Sequence, residues 1–216
     1  MSPDAKPLLA DYNPIAAEYA AKFQHEMDSK PFDRKMLDWL IEKTAGLGPI
    51  CDLGCGPGQI ARYLHSRGAA VRGIDLSAAM IAEASRLNPE IPFEQGDMRT
   101  LEGVADSSLG GIAAFYSIIH IPNDDAVRTF ATFLRVLEPG GAALLAFHLG
   151  DEMRHFDESM GKPVSLDFHF RQTAQVREWL TTAGFTIDEA IERDPYPPEI
   201  EFQSRRAYLF ARRPAA

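Results

Sequence analysis

Asp52-Leu53-Gly54-Cys55-Gly56-Pro57-Gly58 is the stretch on which the reading turns. It closes a short apolar run that begins at Ile50, and a helix-patterned segment carrying Ile60, Tyr63 and Leu64 follows it. A strand, a glycine turn and a helix in that order place exposed backbone and free helix-terminal N–H groups beside a ligand. Many nucleotide-like ligands suit such a turn. A dinucleotide fingerprint, G-x-G-x-x-G, would need its third glycine at position 59, and the chain has Gln59 there. Asp52 at the strand end is a poor neighbour for a phosphate and a good one for an ammonium group. Asp75 stands 23 residues further on, at the end of the next apolar run. An acidic residue about 20 residues downstream is placed to accept hydrogen bonds from ribose hydroxyls.

Outward from this stretch, strand and helix patterns alternate. Strands are expected at Ile50 to Leu53, Ala70 to Leu76, Ile91 to Gln95, Gly111 to Ile119 and Ala142 to His148. Helices are expected between them: one capped by Ser77 and carrying Met80, Ile81, Ala84 and Leu87, another over Asp124 to Leu137 with Val127, Phe130 and Leu134 on one face. Near-continuous apolar strands of this kind belong to a parallel sheet covered on both faces, so the fold class is α/β, doubly wound. Upstream, Asn13-Pro14 reads as a helix start with a stripe of Ile15, Tyr19, Phe23 and Met27, and a second helix is expected from Asp33. Residues 1–7 are expected to be disordered and 8–45 to form an N-terminal helical cap. Residues 149–171 are polar and aromatic with no clear period, and read as an insertion on the substrate side of the sheet. A helix from Thr173 to Gly184, a strand over Phe185 to Ile191 and a last strand near Ala207 to Ala211 complete one domain over 1–216, the short final connection favouring an antiparallel pair.

Composition bounds the function. The chain has 216 residues, 45% of them apolar, enough for a sizeable core. Lys and Arg number 22 against 31 Asp and Glu, a net charge of −9, which disfavours a phosphate backbone as partner. The best basic patch on offer is Arg205, Arg206, Arg212 and Arg213. Cys51 and Cys55 are the two cysteines, too few for a disulfide framework or a zinc site, and a reducing, cytoplasmic setting fits them. The first seven residues contain no leader-like apolar segment, and no run approaches the ~20 apolar residues of a membrane span.

Further motifs fall in register with the glycine loop. They are Gly73-Ile74-Asp75-Leu76-Ser77, Gly96-Asp97-Met98, Phe115 to His120, and Leu134-Arg135-Val136-Leu137-Glu138-Pro139-Gly140-Gly141. With Asp52–Gly58 they resemble, in order and over roughly residues 10–150, the class I S-adenosylmethionine-dependent methyltransferases of the small-molecule type. That resemblance implies a seven-stranded sheet with an antiparallel last strand and S-adenosylmethionine as methyl donor, without a metal. It also implies roles: Gly54 and Gly56 beside the methionine moiety, with the Asp52 carboxylate near its ammonium; Asp75, with Leu76, at the ribose; Asp97 and Met98 around the adenine; Phe115 backbone near the amino group. Tyr12 in Asp11-Tyr12-Asn13 either folds over the cofactor or packs in the core.

On the acceptor side, His120 and His148 are expected at the carboxyl ends of the fourth and fifth strands, the edge where open α/β sheets bind ligands. Each is a candidate general base or a structural histidine. Asp151, Phe168 and Arg205 are candidate acceptor contacts. A small-molecule O-, N- or C-methyltransferase is the expected function. The alternatives are a methyltransferase acting on RNA or protein, a non-catalytic S-adenosylmethionine-binding module, and a nicotinamide dehydrogenase. An Asn/Asp-Pro-Pro-Tyr acceptor motif would mark the first alternative, and that position reads Phe115-Tyr116-Ser117-Ile118 instead. Gln59 and Asp52 weigh against the dehydrogenase.

Overall fold

The computed structural model describes residues 12–215. Strands β1 (Ile50–Leu53), β2 (Val71–Asp75), β3 (Phe93–Gln95), β4 (Leu109–Phe115) and β5 (Leu137–His148) pair in parallel. The seven-stranded sheet has the order β3-β2-β1-β4-β5-β9-β8. β9 (Arg206–Arg212) runs antiparallel between β5 and β8 (Thr186–Arg193), so the last strand of the chain is the reversed one, as expected.

Among the described residues six helices flank the sheet: α1 (Ala16–Phe23), α2 (Pro31–Lys43), α3 (Gln59–Ser66), α4 (Ala78–Leu87), α5 (Asn123–Val136) and α6 (Thr173–Thr182). β1 and β4 are buried at every position. Their unbroken apolar sequence follows from that: each face needs its own apolar contacts. On one face Leu37, Leu40, Ile60 and Leu64 of α2 and α3 pack on Ile50, Ala113, Leu144 and Phe210. On the other, Phe130, Phe133, Val176 and Leu180 of α5 and α6 pack on Leu53, Ile112, Leu145 and Leu209. Burying one such side chain stabilises by about 1.5–3 kcal/mol.

Four local expectations are corrected. The apolar run 111–119 is not one strand: Tyr116 takes a φ of 53°, which ends β4 at Phe115, and Ile118–His120 then form a buried 3-10 turn. His120 therefore stands on a turn, not at a strand end. Residues 149–171 are not aperiodic: β6 (Met153–Ser159) and β7 (Lys162–His169) form a hairpin. Its two-residue turn, Met160-Gly161, has positive φ at both positions, the handedness that matches strand twist. Val164, Leu166 and Phe168 are a period-two stripe, masked in the sequence by Pro163 and by the register shift between Phe156 and Glu158 on the partner strand. Asn13–Ile15 form a 3-10 turn, in which the Asn13 side chain does not cap its own helix. Its Oδ1 instead accepts from the Ser77 hydroxyl at 2.6 Å. Ser77 itself caps α4 through Met80 N, as read. α2 opens at Pro31, and Asp33 is buried within it rather than starting it.

Ile15 packs on Val164 and Leu166, so the N-terminal segment and the hairpin meet above the sheet edge. The expectations for residues 1–7, the start of the 8–45 cap and Asp11 fall outside the described residues. Among the described residues no helix is long and apolar enough to cross a membrane.

Candidate active site

The strand order reverses between β1 and β4, and the diverging carboxyl ends open a crevice there. A cavity of about 950 Å³ occupies it. Its floor is the glycine loop. Gly54 has a φ of 69°, and a Cβ there would stand 2.4 Å from the Ser117 Cβ, so only glycine lets the loop pass beneath the end of β4. At Gly56 a Cβ would meet nothing nearer than a Tyr19 ring carbon at 3.9 Å, and a side chain there would intrude on the cavity. The loop amides are engaged within the protein. Gly54 and Cys55 donate to the Ile74 carbonyl, Gly56 donates to Asp75 Oδ2 at 2.8 Å, and Gly58 donates to the Cys55 carbonyl. A pyrophosphate would have to displace these bonds, which agrees with the missing glycine at position 59.

Asp75 sits on the cavity wall at the end of β2. Its two oxygens accept from Gly56 N and Ser77 N, both at 2.8 Å. Burial raises its pKa, and these two bonds oppose the rise. Two lone-pair sites remain for donors such as ribose hydroxyls. Leu76, Asp97, Met98 and Phe115 line the same end. Asp97 is held by Arg99, with Nε and Nη2 contacts of 2.8–3.1 Å. Asp52 is placed otherwise than expected. Its side chain is not among the cavity walls, the residue is 1% exposed, and its carboxylate accepts from Ala61 N in the first turn of α3 at 3.0 Å. Burial pushes its pKa up to about 8. It ties the loop to the helix rather than facing a ligand.

The other end of the cavity is aromatic and lies under the hairpin. His120, His148 and Phe168 line it, together with Tyr12 from the N-terminal segment. His120 Nδ1 is 3.2 Å from the Asp167 carbonyl, and its Nε2 is 2.9 Å from the Tyr12 hydroxyl. A carbonyl only accepts, so Nδ1 carries the proton and Nε2 accepts from Tyr12. His148 stacks on Phe170 with ring centroids 5.1 Å apart, and its Nδ1 is 2.9 Å from Arg206 Nη1 and 2.7 Å from the Ser204 hydroxyl. A guanidinium only donates, so Nδ1 accepts and the proton is on Nε2. Burial lowers the pKa of His148 to about 3 and that of His120 to about 4. Two expected acceptor contacts are not brought here. Asp151 is exposed and outside the cavity walls. Arg205 faces a separate shallow surface pocket and pairs with Glu192 and Asp194.

The candidate basic patch of Arg205, Arg206, Arg212 and Arg213 does not form, because its members have separate partners. Arg206 is buried near Glu201, Arg212 pairs with Asp188, and Arg213 donates to the carbonyls of Leu134, Arg135 and Leu137. The structure adds Lys30, Tyr116, Glu201 and Arg206 to the cavity wall. Tyr116 was legible as the residue following β4. Lys30 and Glu201 carried no local signal, since they arrive from the turn before α2 and the loop between β8 and β9.

Comparison with known proteins agrees with this architecture. Residues 50–141 match the family described as methyltransferase domain. A putative methyltransferase, YqeM, of Bacillus subtilis (strain 168) is 31% identical over 134 residues, covering 60% of this chain and 54% of that protein. A trans-aconitate 2-methyltransferase of Escherichia coli O139:H28 is 38% identical over 104 residues, covering 47% of this chain and 39% of that protein. The chain thus spans about half, or less, of the length of these relatives. A crystal structure described as an S-adenosylmethionine-dependent methyltransferase from Methanosarcina mazei superposes with a TM-score of 0.73 at 17% identity, covering 82% of this chain and 98% of that one.

Proposed function

We propose, from the match of residues 50–141 to a methyltransferase domain and from the fold built around them, that the chain is a class I S-adenosylmethionine-dependent methyltransferase and that it transfers the methyl group of S-adenosylmethionine to a small molecule. One observation carries the reading. A single cavity of about 950 Å³ has a glycine-floored end with Asp75, Asp97 and Met98 and an aromatic end with His120, His148 and Phe168. The donor fits the first end. Gly56 leaves space that a Cβ would fill, and Asp75 presents carboxylate oxygens already aligned by two backbone amides. The name of the Escherichia coli relative, a trans-aconitate 2-methyltransferase, is in keeping with a small acceptor.

The bound donor supplies an electrophilic methyl on a sulfonium. Asp75 would hold its ribose, and Gly54 and Gly56 would pass beside its methionine end. Phe168, Tyr12 and His120 cover the opposite end and exclude water. Alignment of two bound partners is worth effective molarities of about 10⁵–10⁸ M, so positioning supplies most of the acceleration. We read the N-terminal helices and residues 149–171 as the acceptor-side cap of one domain.

Calorimetry tests the reading. S-Adenosylmethionine should bind and NAD should not, and Asp75→Ala should weaken the first at least tenfold, with Asp75→Asn intermediate. No heat with S-adenosylmethionine from folded protein would overturn it.

A further inference from the structure

Resting on the transferase reading above, we infer that the ammonium group at the methionine end of S-adenosylmethionine is held by the side-chain carbonyl of Gln59, with Glu26 setting the direction of that amide.

The first support is an acceptor without a donor. Gln59 lines the cavity, and its Oε1 is buried and meets no hydrogen-bond donor among the described residues. A buried carbonyl left in that state costs stability, and a ligand that donates to it removes the cost. The amide cannot turn over to relieve it. Gln59 Nε2 donates to Glu26 Oε1 at 2.9 Å, and the reversed amide would set its oxygen against that carboxylate. Glu26 is held in turn, because its other oxygen accepts from Lys30 at 2.6 Å. Lys30 also offsets the Glu26 charge. Selection therefore rests on the lone pairs of Gln59 Oε1 and not on net charge: they accept from an N–H or O–H and repel a carboxylate or phosphate.

The second support is position. The sheet order β3-β2-β1-β4 sets the order of contacts across the crevice. Asp97 and Met98 follow β3, Asp75 ends β2, and the glycine loop follows β1. A donor with its adenine at the first and its ribose at the second has its methionine end over the third. Gln59 directly follows Gly58 and is the first residue of α3, so it stands where that loop ends. Glu26 reaches the same place from the 3-10 turn Glu26–Ser29 between α1 and α2. Tyr19 marks how near it comes: burial first, and then the charges of Glu26 and Asp75, disfavour ionisation of its hydroxyl. Among the N–H and O–H groups of the donor, only the ammonium belongs to the methionine end. The Asp52 carboxylate, expected to face that ammonium, is engaged by Ala61 N and lies off the cavity wall. Gln59 supplies the acceptor in its place.

The test compares two ligands by calorimetry on the whole chain: S-adenosylhomocysteine, and its deaminated analogue with hydrogen in place of the ammonium. The unaltered protein should bind the first about tenfold more tightly, the scale of one hydrogen bond to a charged group. Gln59→Met keeps the bulk and removes the acceptor. It should weaken S-adenosylhomocysteine about tenfold while the affinity of the deaminated ligand changes by less than about threefold. Glu26→Ala should lower the same ratio of affinities, since nothing then fixes the amide. Retained binding of the deaminated ligand shows that each variant keeps its fold and its nucleoside contacts. Two results would overturn the inference: no preference for S-adenosylhomocysteine in the unaltered protein, or a preference that survives Gln59→Met. Binding of neither ligand to the unaltered, folded chain would instead sink the transferase reading, and the inference with it.

Discussion

Two residues show how burial changes what a side chain can do. Asp52 reads in the sequence as a carboxylate for an ammonium, but in the fold it caps the first turn of α3 through Ala61 N. A carboxylate with a pKa near 8 is largely neutral at pH 7, and an asparagine oxygen accepts the same bond. Asp52→Asn should therefore leave S-adenosylmethionine affinity within about threefold and cost less than about 1 kcal/mol in thermal unfolding. A tenfold loss of affinity with stability intact would return Asp52 to the ligand. His148 titrates the other way. Its folded pKa is lowered, chiefly by burial and then by Arg206, Lys30, Arg154 and His120. Its contribution to stability is present above the unfolded value of about 6.5 and is lost as the pH falls toward 3. Between pH 6.5 and 4.5 the unaltered protein should lose on the order of 2 kcal/mol more stability than His148→Gln does, read from unfolding midpoints at each pH. Equal pH slopes would show that the imidazole is not held neutral.

At the scale of elements, the decisive contact is between the N-terminal segment and the β6–β7 hairpin. Ile15 packs on Val164 and Leu166, while Lys162 reaches the Pro14 carbonyl and Glu18. The exposed ion pair adds little, so the apolar contact holds the two pieces over the cavity. Truncating a fully buried isoleucine costs about 2–5 kcal/mol when its neighbours cannot collapse. We expect Ile15→Ala to raise the rate of limited proteolysis in residues 149–171 about tenfold, and added S-adenosylhomocysteine to slow cleavage in the unaltered chain. Cleavage indifferent to both changes would show that these elements do not close together.

The whole molecule places a two-sided core beneath a ligand crevice, so occupancy of the crevice should stabilise the whole fold. A ligand at 100 times its dissociation constant adds about 2.7 kcal/mol. For a chain of this size that corresponds to a rise in Tm of roughly 5–10 °C with S-adenosylhomocysteine, and no rise with NAD. A shift with both ligands would point to a less selective nucleotide site.

The sequence by itself determined the sheet, its glycine loop and, Asp52 excepted, the residues at the glycine-floored end of the cavity. Those features are local: an unbroken apolar run means a strand covered on both faces, and Gly54, Gly56 and Asp75 act where the backbone turns at a strand end. Only the tertiary structure decided the aromatic end. Lys30, His148, Glu201 and Arg206 come from four separated parts of the chain, and their meaning lies in which donor meets which acceptor. A histidine's available nitrogen, a buried aspartate's charge and the direction of each arginine are set by neighbours distant in sequence, and no local spacing encodes them.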